Sequence, residues 1–443
     1  MTTNLHRVIG RRDVALLVIG SVIGSGIFLV PGAVLRQSGG TVGVAMTAWL
    51  LGGLLSFLGA LTYAELGAMN PGSGGLYLYI RDAFGRLPAF LYGWILLLAI
   101  CAGTVATLVV ASAAYLQQLI PFGSGGARLI SVAMIAGLTW VNVRGTRLSV
   151  VALNGATVLK VGALVLLIGI LPVTGRGLGA VEAWWPTSFT AGTFQSVGLA
   201  MISVLWAYEG WQYVNFVAGE VVEPQRNLAP GLAIGTLALV LIYTLANLAY
   251  VAALGVDGVA RSERVAAEAL EVTLGPVAAA AITIPIVISM LSAAHSVLLL
   301  LPRAFYAMGR DGLFLESLGR VHPRYGTPAV AIITGGVASA TLAMVGTFEQ
   351  LLNYVVFVGW IFYGLGGASL FVFRRRLPDA PRPFRIPGYP FTPALFVLSA
   401  AAFVVNSVFS QPVGQTVAGL GMVAAGLPVY WWWSRRGRQA PQP

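Results

Sequence analysis

The chain has 443 residues, of which 57% are hydrophobic and 9% charged. Soluble globular proteins carry roughly 25% charged residues, so this composition excludes a soluble domain and points to the membrane. The net charge of +11 does not argue for a nucleic-acid partner, because the basic residues flank apolar runs and are not gathered on one face.

A membrane-crossing helix needs about 20 apolar residues, and twelve stretches qualify. They cover residues 14–35, 41–65, 88–119, 128–143, 149–172, 194–219, 229–254, 276–306, 328–346, 350–373, 390–409 and 413–433. Residues 1–13 precede the first as a cytoplasmic segment. No small-residue cleavage site follows the first run, which is therefore expected as an uncleaved span. The longest cytoplasmic connections are 66–87, 307–327 and 374–389. Residues 255–275 carry Asp257, Glu263, Glu268 and Glu271 on an expected amphipathic external helix.

Cytoplasmic loops retain positive charge. With the N-terminus inside, only Arg36, Arg128, Arg176, Arg261 and Arg264 fall outside, and the remaining arginines, Arg438 included, are cytoplasmic. Both termini, including the tail 434–443, are then on the cytoplasmic side of a multi-pass protein of the cell membrane. The same distribution favours an even number of spans.

Two spans are unusual. Span 1 contains Gly20, Ser21, Val22, Ile23, Gly24, Ser25, Gly26, Ile27 and Phe28, and each glycine weakens a helix by about 1 kcal/mol relative to alanine. Span 6 contains Trp206, Ala207, Tyr208, Glu209, Gly210 and Trp211, with a carboxylate and a glycine inside an apolar run. Both read as points where the helix unwinds, although the glycines of span 1 taken alone also suit a packing face. The two breaks lie five spans apart. Five is odd, so a five-span unit repeated in tandem enters the membrane the second time from the other side, as in inverted-repeat transporters with a midplane site.

Such breaks expose backbone. A helix that restarts presents free N–H groups, and one that stops presents free carbonyls. An α-amino acid matches both: amides of Ser25, Gly26 and Ile27 are expected to hold its carboxylate, and carbonyls of Val22 and Glu209 its amino group. Glycine at the break keeps the approach open.

Lys160 is the only lysine and sits inside span 5. A charge at the bilayer centre costs about 2.5 to 3.5 kcal/mol on insertion scales, and loose carbonyls at a broken helix would offset it in the place of a bound cation. The alternative is snorkelling to an interface. Glu209 is the one acidic residue placed in the middle of a span; it either faces the cavity and selects a cationic side chain, pairs with another polar group, or turns into a water-filled vestibule. Trp206, Tyr208 and Trp211 form an aromatic gate or pack. His295 and Cys101 have no spaced partners and read as packing residues. No zinc, phosphate-loop or triad pattern occurs, so no metal or cofactor is expected, and the single cysteine permits no intrachain disulfide.

Four segments together resemble the amino acid, polyamine and organocation superfamily, and most closely its L-type amino acid transporter branch with bacterial relatives. They are Gly20 to Pro31; Tyr63 to Tyr79, with Glu65 and Pro71; Leu205 to Pro230, with Glu220, Pro224 and Arg226; and Arg303 to Gly312. The resemblance implies an all-α fold of ten core helices in two inverted five-helix units, 14–172 and 194–373, with helices 1 and 6 discontinuous and two peripheral helices within 390–433. It implies a substrate site at Val22, Ile23, Gly24, Ser25, Gly26, Ile27, Trp206, Ala207, Tyr208, Glu209 and Gly210, with Trp206 as a gate. It also implies that Lys160 replaces sodium, so that transport is sodium-independent.

Animal members of the branch join a heavy chain through a cysteine in the loop between spans 3 and 4, but residues 120–127 contain none. A disulfide-linked partner is not expected. The expected function is alternating-access amino acid exchange, with proton-coupled uptake of amino acids or polyamines through Lys160 as the second reading. A channel would need a polar lining, and a membrane-embedded enzyme would need clustered acid, base or metal ligands, for which only Lys160 and Glu209 are available.

Overall fold

The computed structural model describes residues 5–174, 178–181, 183–345, 348–410 and 413–437. Arg176, Arg438 and the tail beyond residue 437 lie outside the described residues. Twelve helical passes are present among those described: nine helices long and apolar enough to cross a membrane, the shorter Ala191–Ala207 and Ala329–Val345, and Phe348–Arg376. The protein is an all-helical, multi-pass membrane protein.

Spans 1 and 6 are broken within the bundle. Span 1 runs Arg11–Val22, then Gly26–Leu29 and Pro31–Gln37; span 6 runs Ala191–Ala207 and resumes as a 3-10 segment, Tyr213–Glu220. Pro302 restarts span 8 after Leu300, where the sequence suggests one continuous helix. Span 3 carries an internal π-helical stretch, Leu96–Cys101, that no sequence signal announces.

Two connections differ from expectation. Span 2 extends to Met69, and Leu76–Phe84 is also helical, so residues 66–87 are not a plain loop. The longer span 2 is possible because Glu65, which the hydropathy places at a helix end, is buried and ion-paired with Arg374. The expected amphipathic helix within 255–275 is Val265–Leu274, which buries Val265, Ala266, Ala267, Ala269 and Leu270 and leaves Glu271 exposed.

Packing follows a shift of five: span 2 packs on span 7, span 3 on span 8 and span 4 on span 9. Spans 3 and 8 are enclosed, while spans 11 and 12 lie at the edge with most of their surface outward. One face gathers the beginnings of spans 1 and 5 and the ends of spans 2, 6, 8 and 10. The amides of Val8 and Ile9 donate to Glu220 O at 2.9 and 3.0 Å, and Val222 N donates to Ile9 O at 2.8 Å. On this same arginine-rich face Arg303 pairs with Glu220, Arg147 with Asp13, and Arg374 with Glu65. Span 1 therefore starts where span 6 ends, and the two broken spans run antiparallel.

Candidate functional site

The first break follows from the sequence 20–26. The last bond of the opening helix is Ile23 N to Ile19 O at 3.0 Å, after which Phe28 and Leu29 restart the ladder on Ser25 O. The carbonyls freed in between are taken by side chains from other spans. Lys160 Nζ donates to Gly20 O at 2.7 Å, to Ile23 O at 2.6 Å and to Ser292 Oγ at 2.7 Å. Ser289 Oγ lies 3.1 Å from Ile23 O and 3.2 Å from Gly24 O.

Lys160 is fully buried, so it does not snorkel. Its three acceptors match the three N–H groups of an ammonium, since Ser292 Oγ donates its own hydrogen to Ser289 O at 3.0 Å. The lysine amine thus stands in span 5 hydrogen-bonded to the broken end of span 1.

The second break is the turn Tyr208–Gln212. Gly210 adopts φ +118°, and a Cβ there would fall 3.1 Å from Ser21 O, so the turn both needs glycine and presses on span 1. Gly26 makes the reciprocal contact. A Cβ on it would sit 2.6 Å from Ala207 Cα. The sequence assigns glycine at 26 to keeping the approach open for a substrate; in the structure glycine there lets the two interrupted helices touch.

Tyr243 of span 7 joins the breaks: its hydroxyl lies 3.1 Å from Val22 O and 3.1 Å from Ala207 O. One hydroxyl hydrogen serves one carbonyl at a time. The carbonyl of Val22, expected to be free for an amino group, therefore already has a partner. Ser25 is buried with no partner for its Oγ, and among the described residues the amides of Ser25, Gly26 and Ile27 have no backbone acceptor. An unsatisfied buried polar group costs about 1 to 3 kcal/mol, so these donors are available to a ligand acceptor.

Glu209 does not turn into an open vestibule. Its Oε1 accepts from Gln212 Nε2 at 2.8 Å, Tyr213 Oη at 2.8 Å and Tyr363 Oη at 2.5 Å, tying span 6 to span 10. Trp206 is buried beside the break. Trp211 packs on Tyr63 and Phe396, and Tyr208 on Trp49 and Tyr243. His295 and Cys101 are buried in spans 8 and 3, and no group of three metal-ligating side chains occurs among the described residues.

The match to known proteins is broad. The profile of the amino acid permease family aligns with residues 9–432. This chain belongs to the amino acid permease family. Among its relatives, the human "Large neutral amino acids transporter small subunit 2" is 33% identical over 438 residues, covering 96% of this chain and 80% of that protein. The "Serine/threonine exchanger SteT" of Bacillus subtilis (strain 168) is 29% identical over 435 residues, covering 98% of each. The human "Cystine/glutamate transporter" is 32% identical over 435 residues, covering 95% of this chain and 85% of that protein.

Within this permease, sequence reasoning missed Tyr243, Ser289, Ser292 and Tyr363. Each is a polar side chain in an apolar span, and such residues are too common in membrane helices to stand out. It also gave no role to Glu220 and Arg303, which are both buried. Arg303 Nε donates to Glu220 Oε1 at 2.8 Å, and Thr146 Oγ1 to Glu220 Oε2 at 2.8 Å. This pair binds the end of span 6 to spans 5 and 8.

Proposed function

We propose that this permease exchanges α-amino acids across the cell membrane by alternating access, without sodium. The observation that carries the reading is the face-to-face contact of two interrupted antiparallel helices, Gly26 against Ala207 and Gly210 against Ser21. The relatives' names cover large neutral, serine and threonine, and cystine and glutamate substrates. These compounds share only the α-amino and α-carboxyl groups. A site built mainly of main-chain atoms from Val22 to Ile27 and Trp206 to Gly210 recognises that shared part and leaves the side chain to its surroundings.

In this proposal the amides of Ser25, Gly26 and Ile27 take the carboxylate. The amino group takes carbonyls at Val22 and Glu209, with Tyr243 releasing Val22 O as substrate enters. Trp206 closes over the substrate. The ammonium of Lys160 serves where a coupling cation would otherwise bind, because it already saturates the carbonyls of Gly20 and Ile23. A bundle with the broken spans rocks against a scaffold; the two inverted repeats are 14–172 and 194–373, with residues within 390–433 as a peripheral pair.

The excess of arginine on one face supports a cytoplasmic orientation for that face and for both termini. Cys101 is the sole cysteine and is buried, so a disulfide-linked partner is not part of the proposal. Counterflow in proteoliposomes tests it. Uptake of labelled amino acid should require unlabelled amino acid inside and persist when choline replaces sodium. Uptake into empty vesicles under an imposed pH gradient would replace exchange with proton coupling, the second reading, for which Lys160 is the buried titratable group.

A further inference from the structure

The connection between spans 10 and 11 folds over a cavity of about 340 Å³ on the arginine-rich face, lined by Arg374, Arg375, Pro378, Arg382, Arg385 and Tyr389. One carboxylate meets this cluster. Glu65 accepts from Arg374 Nε at 2.9 Å, Arg374 Nη2 at 2.7 Å and the Ile386 amide at 2.7 Å, and lies 3.6 Å from Arg382 Nε. Arg374 also lies 3.9 Å over the Tyr389 ring. The other donors of Arg382 reach the carbonyls of Phe373, Leu377, Pro378 and Ala380. Two guanidinium groups are therefore held in place.

Arg375 and Arg385 are different. Both are exposed, line the same cavity, and engage no hydrogen bond or ion pair among the described residues. Four cations against one carboxylate leave an excess of three positive charges in one concavity; the nearby acid Asp379 is exposed and not part of its lining. Membrane topology requires arginines on this face but does not require four to converge, which costs mutual repulsion. Convergence is favourable when an anion is shared, and the planar fork of arginine suits phosphate oxygens.

The rim shows which anion. Span 11 begins two residues beyond Tyr389 and leaves Phe391, Leu395 and Leu398 exposed at 78%, 50% and 67%. Their spacing of four and three residues puts them on one helix face. An apolar stripe thus leads away from the basic cavity into the membrane. We propose that the cavity binds the phosphate of an anionic phospholipid, with Arg375 and Arg385 on the headgroup and the acyl chains along Phe391, Leu395 and Leu398. A free phosphate has the same charge but no use for the stripe.

Thermal stability of the delipidated protein tests this with phosphatidylglycerol, phosphatidylcholine or inorganic phosphate added. Phosphatidylglycerol should stabilise and the other two should not. In the double variant Arg375→Gln/Arg385→Gln the concentration needed should rise about thirtyfold, on the usual worth of two surface arginines toward anionic lipid. Its melting temperature in phosphatidylcholine should equal that of the wild type. Equal protection by inorganic phosphate would overturn the lipid assignment. Equal protection by the two lipids, or an unchanged response of the double variant, would overturn the site. Native mass spectrometry of the wild type needs no variant: phosphatidylglycerol should stay bound at collision energies that strip phosphatidylcholine, and equal retention of the two would also overturn the site.

Discussion

Lys160 in span 5 donates to the carbonyl of Ile23 across 2.6 Å, at the residue where span 1 stops being a helix. The lysine and the break belong to one device: the buried amine is satisfied because the interrupted helix leaves carbonyls without amide donors, and those carbonyls are satisfied because the amine is there. Lys160→Ala should remove the donor that both Gly20 O and Ile23 O use; Ile23 O keeps Ser289 Oγ, and leaving Gly20 O unsatisfied costs about 1 to 3 kcal/mol. Transport in counterflow should fall at least tenfold while substrate still raises the melting temperature. Wild-type turnover in the variant would refute a role for the ammonium in the transport cycle.

Tyr243 offers a milder perturbation. Tyr243→Phe keeps the ring against Tyr208 and Trp49 but removes the hydroxyl between Val22 O and Ala207 O. One neutral hydrogen bond is worth about 0.5 to 1.5 kcal/mol, so stability should drop by that amount. If the hydroxyl must leave Val22 O for substrate to bind, the KM should not rise; a KM increase beyond tenfold would show instead that the hydroxyl contacts the substrate.

The contact of Gly26 with Ala207 predicts that even a methyl is too large at position 26. Gly26→Ala places a methyl 2.6 Å from Ala207 Cα and 2.7 Å from its Cβ, which no side-chain rotation relieves. Transport should be lost and the melting temperature should fall, and adding Ala207→Gly should not restore either, because the nearest clash is with the Ala207 backbone Cα and not with its methyl. An unchanged melting temperature with lost transport in Gly26→Ala would show that position 26 matters through the substrate and not through helix contact.

Glu209 accepts three hydrogen bonds on one oxygen, and charge-assisted bonds are roughly twice as strong as neutral ones. Glu209→Gln should therefore lower stability and reduce uptake of cationic and neutral amino acids alike. A selective loss of cationic substrates, measured by competition against one labelled neutral amino acid, would assign the carboxylate to side-chain selection.

The pair Arg303 and Glu220 is buried on both sides. Removing one member of such a pair strands the other, at about 3 to 5 kcal/mol, whereas replacing both by apolar residues of similar size is often neutral. Arg303→Met should give protein that melts far lower in detergent, and Arg303→Met/Glu220→Met should recover most of the loss. No recovery would mean that the main contribution is the Arg303 bond to Leu299 O or the Thr146 contact.

The amino-acid sequence alone determined how many times the chain crosses the membrane, where spans 1 and 6 break, which face is rich in arginine, and that Lys160 needs partners. These are local properties: apolar run length, low helix propensity at Gly20, Gly24, Gly26 and Gly210, and a charge that an apolar run cannot solvate. Tertiary structure decided which atoms meet. Tyr363 reaches Glu209 across 154 positions and Arg374 reaches Glu65 across 309, and neither pairing leaves a periodic trace. In a membrane helix the lipid-facing and protein-facing sides are both apolar, so the rotation of each helix, and with it the partner of every buried polar side chain, is set only when the bundle packs.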